Sequence, residues 1–226
     1  MPTDASNPGA VAEAQVAEIA NFEVSLHGHP AQAWGPYRDV QRAAAALGPL
    51  AEQRAAEIAA LQANDTLPLD HRRAETARLR AAAEQELRDV HAEATTSAAR
   101  LEAHLRGALV PQPDPIPANR QMAREELRLA VEGAPNHLDA ITAVLLTARP
   151  AVVAELHTDY GRLLLGPEAA KVYDQVAIGT LRRRGGHDEA SRLANHALNQ
   201  YERLKIPGRV DAAFTAAALV LQAPPK

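Results

Sequence analysis

The chain has 226 residues, is 46% hydrophobic and carries a formal net charge of −4. That length supports one large core or two small ones, and the acidic balance argues against a generic nucleic-acid binder, which needs a basic face to displace counterions. With no cysteine, a disulfide framework and a thiolate metal site are both excluded.

Alanine makes up about a fifth of the residues and aromatics only 3%. Alanine is the strongest helix former, whereas strands draw on β-branched and aromatic residues, so the composition predicts an all-α protein. Met1–Gly9 reads as a loose tail without the basic and apolar regions of a signal peptide, and no apolar run approaches the length of a membrane span. The expected location is therefore the cytoplasm.

Ala10–Phe22 reads as a short helix on Val11, Val16 and Ile19, followed by an irregular stretch punctuated by Gly28, Pro30, Gly35 and Pro36. Tyr37–Ala63 is helical in pattern, with a break or kink expected at Gly48-Pro49, because proline removes a donor and clashes with the preceding turn. Asn64–Pro68 is a turn. A long helix then runs from Leu69 to Leu105 and ends at Gly107, a residue suited to a helix C-terminus.

That long helix carries an apolar stripe: Leu79, Ala83, Leu87, Val90, Ala94, Ala98, Leu101 and Leu105. Steps of three and four keep these residues on one face over about seven turns, and such a face needs a partner, from this chain or another. A turn this short predicts an antiparallel helical hairpin. The stripe repeats every eleven residues (Leu79, Val90, Leu101), which predicts a nearly straight or slightly right-handed pairing rather than a left-handed coiled coil. The second arm outruns the first by roughly 15 Å, and Ala10–Phe22 is expected to cover the excess by lying against Ala94–Leu105. Arg80, Glu84 and Arg88 are spaced as i,i+4 charge pairs on the solvated side.

Val110–Ala118 alternates prolines and is therefore stiff and extended. It is the expected linker between a hairpin domain (10–109) and a C-terminal bundle of short helices (119–222). In that bundle Asn119 is expected to cap the first helix and Asn136 the second, which carries Leu138, Ile141 and Leu145. A third starts at Pro150 with Val153, Leu156, Tyr160 and Leu163. A fourth starts at Gly166-Pro167 with Val172 and Val176 and ends at Gly185-Gly186. Asp188 opens a fifth, and Pro207-Gly208 precedes a sixth with Val210, Phe214, Ala217 and Leu221.

Neither a phosphate-binding glycine loop nor a His-Glu-x-x-His element is present. His27-Gly28-His29 lacks a third ligand at any readable spacing, so no metal or other cofactor is expected. His157, Tyr160 and Glu155 would have to converge in a pocket to make a catalytic group. His157 and Asp159, two apart on a helix, do not face each other. Arg182-Arg183-Arg184 is the basic run of the chain, and in the last turn of a helix it complements the dipole. Three cations there are also a candidate anion-binding site.

Two stretches resemble known families. Asp65-Thr66-Leu67 followed by Arg72-Arg73 resembles the turn of helical-hairpin proteins encoded among head and capsid genes of actinobacterial phages and prophages, the likeness extending over about residues 43–105. Pro68-Leu69-Asp70-His71 replaces the capping serine of that pattern. The resemblance implies a non-catalytic assembly protein, with no small-molecule substrate, that binds other protein subunits, copies of itself or capsid-type partners. The protein-binding residues would be Leu79, Leu87, Val90, Leu101 and Leu105, or the turn near Asn64–Pro68. Gly186-His187-Asp188-Glu189-Ala190 with Ala197-Leu198 is similar to the second helix of a tetratricopeptide repeat, which implies instead a peptide-binding adaptor. That pattern requires both Ala190 and Ala197 to face a neighbouring helix.

Overall fold

A computed structural model of the chain describes residues 7–28 and 31–223. The described residues form an all-α fold without strands. In chain order the elements are α1 (Pro8–Ala20), a 3-10 turn (Asn21–Leu26), α2 (Ala31–Gln62), α3 (Leu69–Gly107), α4 (Pro117–Glu132), α5 (His137–Thr147), α6 (Pro150–Leu156), α7 (Asp159–Arg184), α8 (Glu189–Leu204) and α9 (Ile206–Gln222).

Residues divide into two compact units: 1–102 with 200–226, and 103–199. Val110–Ala118, expected to separate two domains, lies wholly inside the second unit. Its extended part stops at Ile116, and Pro117 already occupies the first turn of α4, where a missing N–H costs nothing. The chain was expected to divide once, but its C-terminal helix belongs with its N-terminal ones. The reason is burial: α9 packs against both α1 and α2, placing Val210, Ala213, Ala217 and Leu221 out of solvent.

In the first unit, Asn7 caps α1 by accepting from the Gly9 amide at 3.1 Å, so the helix starts inside the expected tail. Met1–Ser6 lie outside the described residues. The neighbours of α1 are α2 and α9, where docking on Ala94–Leu105 was expected. Phe22 follows in the 3-10 turn and meets Tyr37 (5.9 Å) and Tyr201 (6.0 Å). The Tyr37 hydroxyl donates to the Ala20 carbonyl at 3.1 Å and the Tyr201 hydroxyl to the Ala98 carbonyl at 3.0 Å. These aromatics are few, yet each joins segments distant in sequence.

The expected break at Gly48-Pro49 does not occur: α2 is one helix with Pro36 and Pro49 inside it. An interior proline costs about 3 kcal/mol. Leu47 and Ala51 on either side are fully buried, and burying a leucine contributes about 1.5–3 kcal/mol, so core burial on both sides of the proline offsets that cost. Gly48 also lacks the Cβ that a following proline ring would strike. The side-chain pairs between α2 and α3 run in opposite order: Arg42 with Glu93 (3.3 Å), Arg54 with Glu86 (2.9 Å), and Arg72 with the Gln62 carbonyl (2.9 Å). Leu47, Ala51 and Ile58 of α2 share a core with Ala83 and Leu87 of α3 and Ala213, Ala217 and Leu221 of α9.

In the second unit α4 packs on α6, and α5 on α7. Asp114, not Asn119, orders the start of α4, accepting from the Ile116 amide at 2.8 Å and from the Asn119 side chain at 3.0 Å. Asn136 caps α5 through the Asp139 amide at 2.9 Å. The helix expected from Pro150 through Leu163 is instead two, α6 and α7, separated by His157 and Thr158. Gly161 allows that junction: a Cβ there would collide with the Leu156 carbonyl. Further on, Gly166 adopts φ 76°, ψ 168°, a conformation open almost only to glycine. Beyond the kink the buried face of α7 runs through Tyr173, Ala177 and Leu181, one position on from the expected Val172 and Val176. Val172 and Leu163, expected inside, are exposed, as is Leu138 of α5. Asp188 caps α8, accepting from the Ser191 amide (2.8 Å), while the Ser191 hydroxyl accepts from the His187 and Asp188 amides.

Candidate functional site

The long apolar stripe is core, not surface. Leu87, Leu101 and Leu105 are each at most 1% exposed, and Leu79 and Val90 are half-buried against the cluster that holds Leu87. The five residues assigned to a protein interface are thus covered by this chain itself. An amphipathic pattern specifies that a face is buried, and an intramolecular partner satisfies it at lower entropic cost than a second molecule.

The arginine run is likewise committed. Arg184 donates to the Leu145 (3.1 Å) and Ala148 (2.8 Å) carbonyls, closing the C-terminus of α5. Arg182 donates to Asn199 at 2.6 Å, and Arg183 to Thr180 at 3.1 Å. Arg184 thus satisfies carbonyls that end α5, while Arg182 and Arg183 each bond a side-chain oxygen.

Glu155, His157 and Tyr160 do not converge. Glu155 is 1% exposed and receives Arg120 Nε at 2.6 Å and Arg124 Nε at 2.8 Å. Burial would raise its pKa, but the hydrogen bonds and charges of Arg120 and Arg124 outweigh that and hold the carboxyl below its ordinary value. Tyr160, expected in the core, is half-buried. Its hydroxyl donates to the Arg124 carbonyl (3.3 Å), and its ring lies under the Arg124 guanidinium at 5.1 Å. His157 turns the other way and meets the Tyr173 hydroxyl at 2.9 Å. Burial, then the Arg162 charge and His187, push its imidazole down to about 4, against the pull of Asp174. His187 is also pushed down, by burial and Arg184, and both its ring nitrogens are buried without a partner.

His27 lies against Trp34 at 6.1 Å, and His29 is outside the described residues. Among the described residues no group of three metal-ligating side chains converges, and no helix is long and apolar enough to cross a membrane. In the tetratricopeptide-like stretch Ala197 is fully buried, but Ala190 is exposed. The face that such a repeat must bury is therefore incomplete.

The least self-satisfied cluster lies beside the α2–α3 turn, where sequence reading singled out the turn and Arg72-Arg73 but no cavity. A cavity of about 360 Å³ is lined by Gln62, Leu69, Arg72, Arg73, Thr76, Ala77 and Arg80. Arg72 Nε, Thr76 Oγ1 and Arg80 Nε are buried with no hydrogen-bond partner. The expected Arg80–Glu84 pair is absent, since Glu84 pairs with Arg88 at 3.9 Å. The available signal was the i, i+4, i+8 spacing of Arg72, Thr76 and Arg80, which puts all three on one face. A second groove, of about 310 Å³, lies between α1 and α2, walled by Ala12, Val16, Ala45 and Pro49 and rimmed by Glu13 and Glu52.

No protein-family model, no curated protein and no solved structure matches this chain.

Proposed function

We propose that this chain is a non-catalytic assembly protein, acting in a phage or prophage particle by binding other protein subunits, copies of itself or capsid-type partners. The observation that carries the reading is the set of large apolar side chains left on the outside of the second unit. Met122 (64% exposed) and Leu129 (57%) lie seven residues apart on the outer face of α4, and Leu163 of α7 is 82% exposed. Scattered apolar residues on a surface are ordinary, but two at a heptad spacing on one helix form a contact row. Two charged groups of this unit support the same reading, because Glu155 and Arg184 spend their hydrogen bonds on the fold. The phage context rests on the Asp65–Leu67 and Arg72-Arg73 resemblance.

Light scattering on the full chain, alone and mixed with the products of neighbouring genes, tests the proposal. An assembly protein gives species heavier than a monomer, and Met122→Lys with Leu129→Lys reduces them while leaving helicity intact. A strict monomer in every mixture overturns it.

A further inference from the structure

We infer that the cavity beside the α2–α3 turn is a binding site for a phosphate group. The inference does not depend on the assembly reading and holds whatever partner the outer faces meet.

Successive i+4 positions step about 6 Å along a helix axis. Thr76 therefore sits midway between Arg72 and Arg80, and all three line the same cavity. Thr76 is only 8% exposed, and its hydroxyl has no partner, nor do Arg72 Nε and Arg80 Nε. Folded proteins pair nearly all buried polar atoms, so three orphans lining one cavity define a place where a ligand completes the set. All three can donate, so the ligand must accept several hydrogen bonds at once.

Charge narrows the choice. Arg73 and Arg80 have no ion-pair partner among the described residues. Arg72 is partly neutralised, its Nη1 meeting Asp65 at 3.0 Å, and Glu75 is taken by Arg78. The C-terminal carbonyl end of α2 would repel an anion, but Gln62 O is covered by Arg72 Nη1 at 2.9 Å. Two uncompensated cations suit a dianion, and the first turn of α3 adds the positive end of its dipole. A carboxylate brings one charge and two oxygens, fewer than the donors present, whereas a terminal phosphate brings about two charges and three free oxygens. The walls supplied by Leu69, Ala77 and the Gln62 side chain leave room for whatever bears the phosphate.

Calorimetric titration of the full chain with inorganic phosphate, pyrophosphate and a nucleoside monophosphate tests this and separates free from esterified phosphate. Saturable one-to-one binding of any of them is expected, with acetate far weaker. Arg80→Gln should lower affinity about ten- to a hundredfold, the loss of one charge-assisted contact. Thr76→Val should lower it several-fold. Circular dichroism checks that the variants stay folded, and Arg73→Gln replaces Arg80→Gln if the latter does not. No saturable binding at millimolar ligand, equal binding by acetate, or unchanged affinity in folded variants overturns the inference.

Discussion

Glu155 offers the sharpest test of how the second unit is held together. Glu155→Ala removes a carboxylate that is 1% exposed and accepts two bonds, at 2.6 and 2.8 Å, from arginines 35% and 33% exposed. A hydrogen bond to a charged group contributes about 1.5–3 kcal/mol, so two sum to roughly 3–6 kcal/mol before discounting. Both arginines are about a third exposed and regain water when freed, which favours the lower end. Loss of one partner from a buried pair costs about 3–5 kcal/mol in comparable sites, so about 3 kcal/mol is expected. Glu155→Gln keeps the shape and one acceptor and should cost about half as much. Urea denaturation followed by circular dichroism reads both values. The contribution also has a pH signature. The folded carboxyl sits below its ordinary 4.5, so its stabilisation is complete above that value and is lost as pH falls through the depressed folded value. If Glu155→Ala costs under about 1 kcal/mol, the ordinary effect of a surface pair, the ion triad is not what fixes α4 against α6.

His157 predicts a second, separate acid step. Its imidazole is ordinary at 6.5 when unfolded and about 4 in the fold, so between those values the unfolded chain binds the extra proton. Stability should fall as pH drops from 6.5 towards 4, by about 3 kcal/mol at most. His157→Phe should shrink that step in a pH series of melting curves while leaving the His187 contribution and the lower Glu155 step in place. Gly161→Ala should destabilise by about 1–3 kcal/mol, because the added methyl meets the Leu156 backbone, and a denaturation midpoint reads it. Leu101→Ala, at a position 0% exposed, should cost about 2–5 kcal/mol. A loss under 1 kcal/mol there would mean the stripe is not core.

The all-α class was legible because composition and helical periodicity agree along nearly the whole chain. Local end signals were legible too: Asn136 and Asp188 start helices through side-chain caps, Gly185 stops α7 in the left-handed conformation, and α3 ends at Gly107 as expected though without that conformation. What sequence could not show was which partner an apolar face would choose. The Leu79–Leu105 stripe called for cover, and only the fold reveals that α2 and α9 cover the Leu87 portion. The unbroken α2 was hidden for a related reason, since Pro49 speaks locally while Leu47 and Ala51 act through tertiary burial. The cavity beside the α2–α3 turn escaped because Arg80 read as half of a surface pair with Glu84. The spacing permits that pair, and Glu84 instead turns to Arg88.

The claim on which the functional account turns is that this molecule works through its outer surfaces, with its long stripe already spent on its own core. Light scattering of the wild-type chain beside Met122→Lys/Leu129→Lys, each alone and with its candidate partners, tests that most directly. The account predicts a wild-type assembly that the double substitution reduces without loss of helix. A wild-type chain that stays monomeric and partnerless, or an assembly indifferent to both lysines, would contradict it.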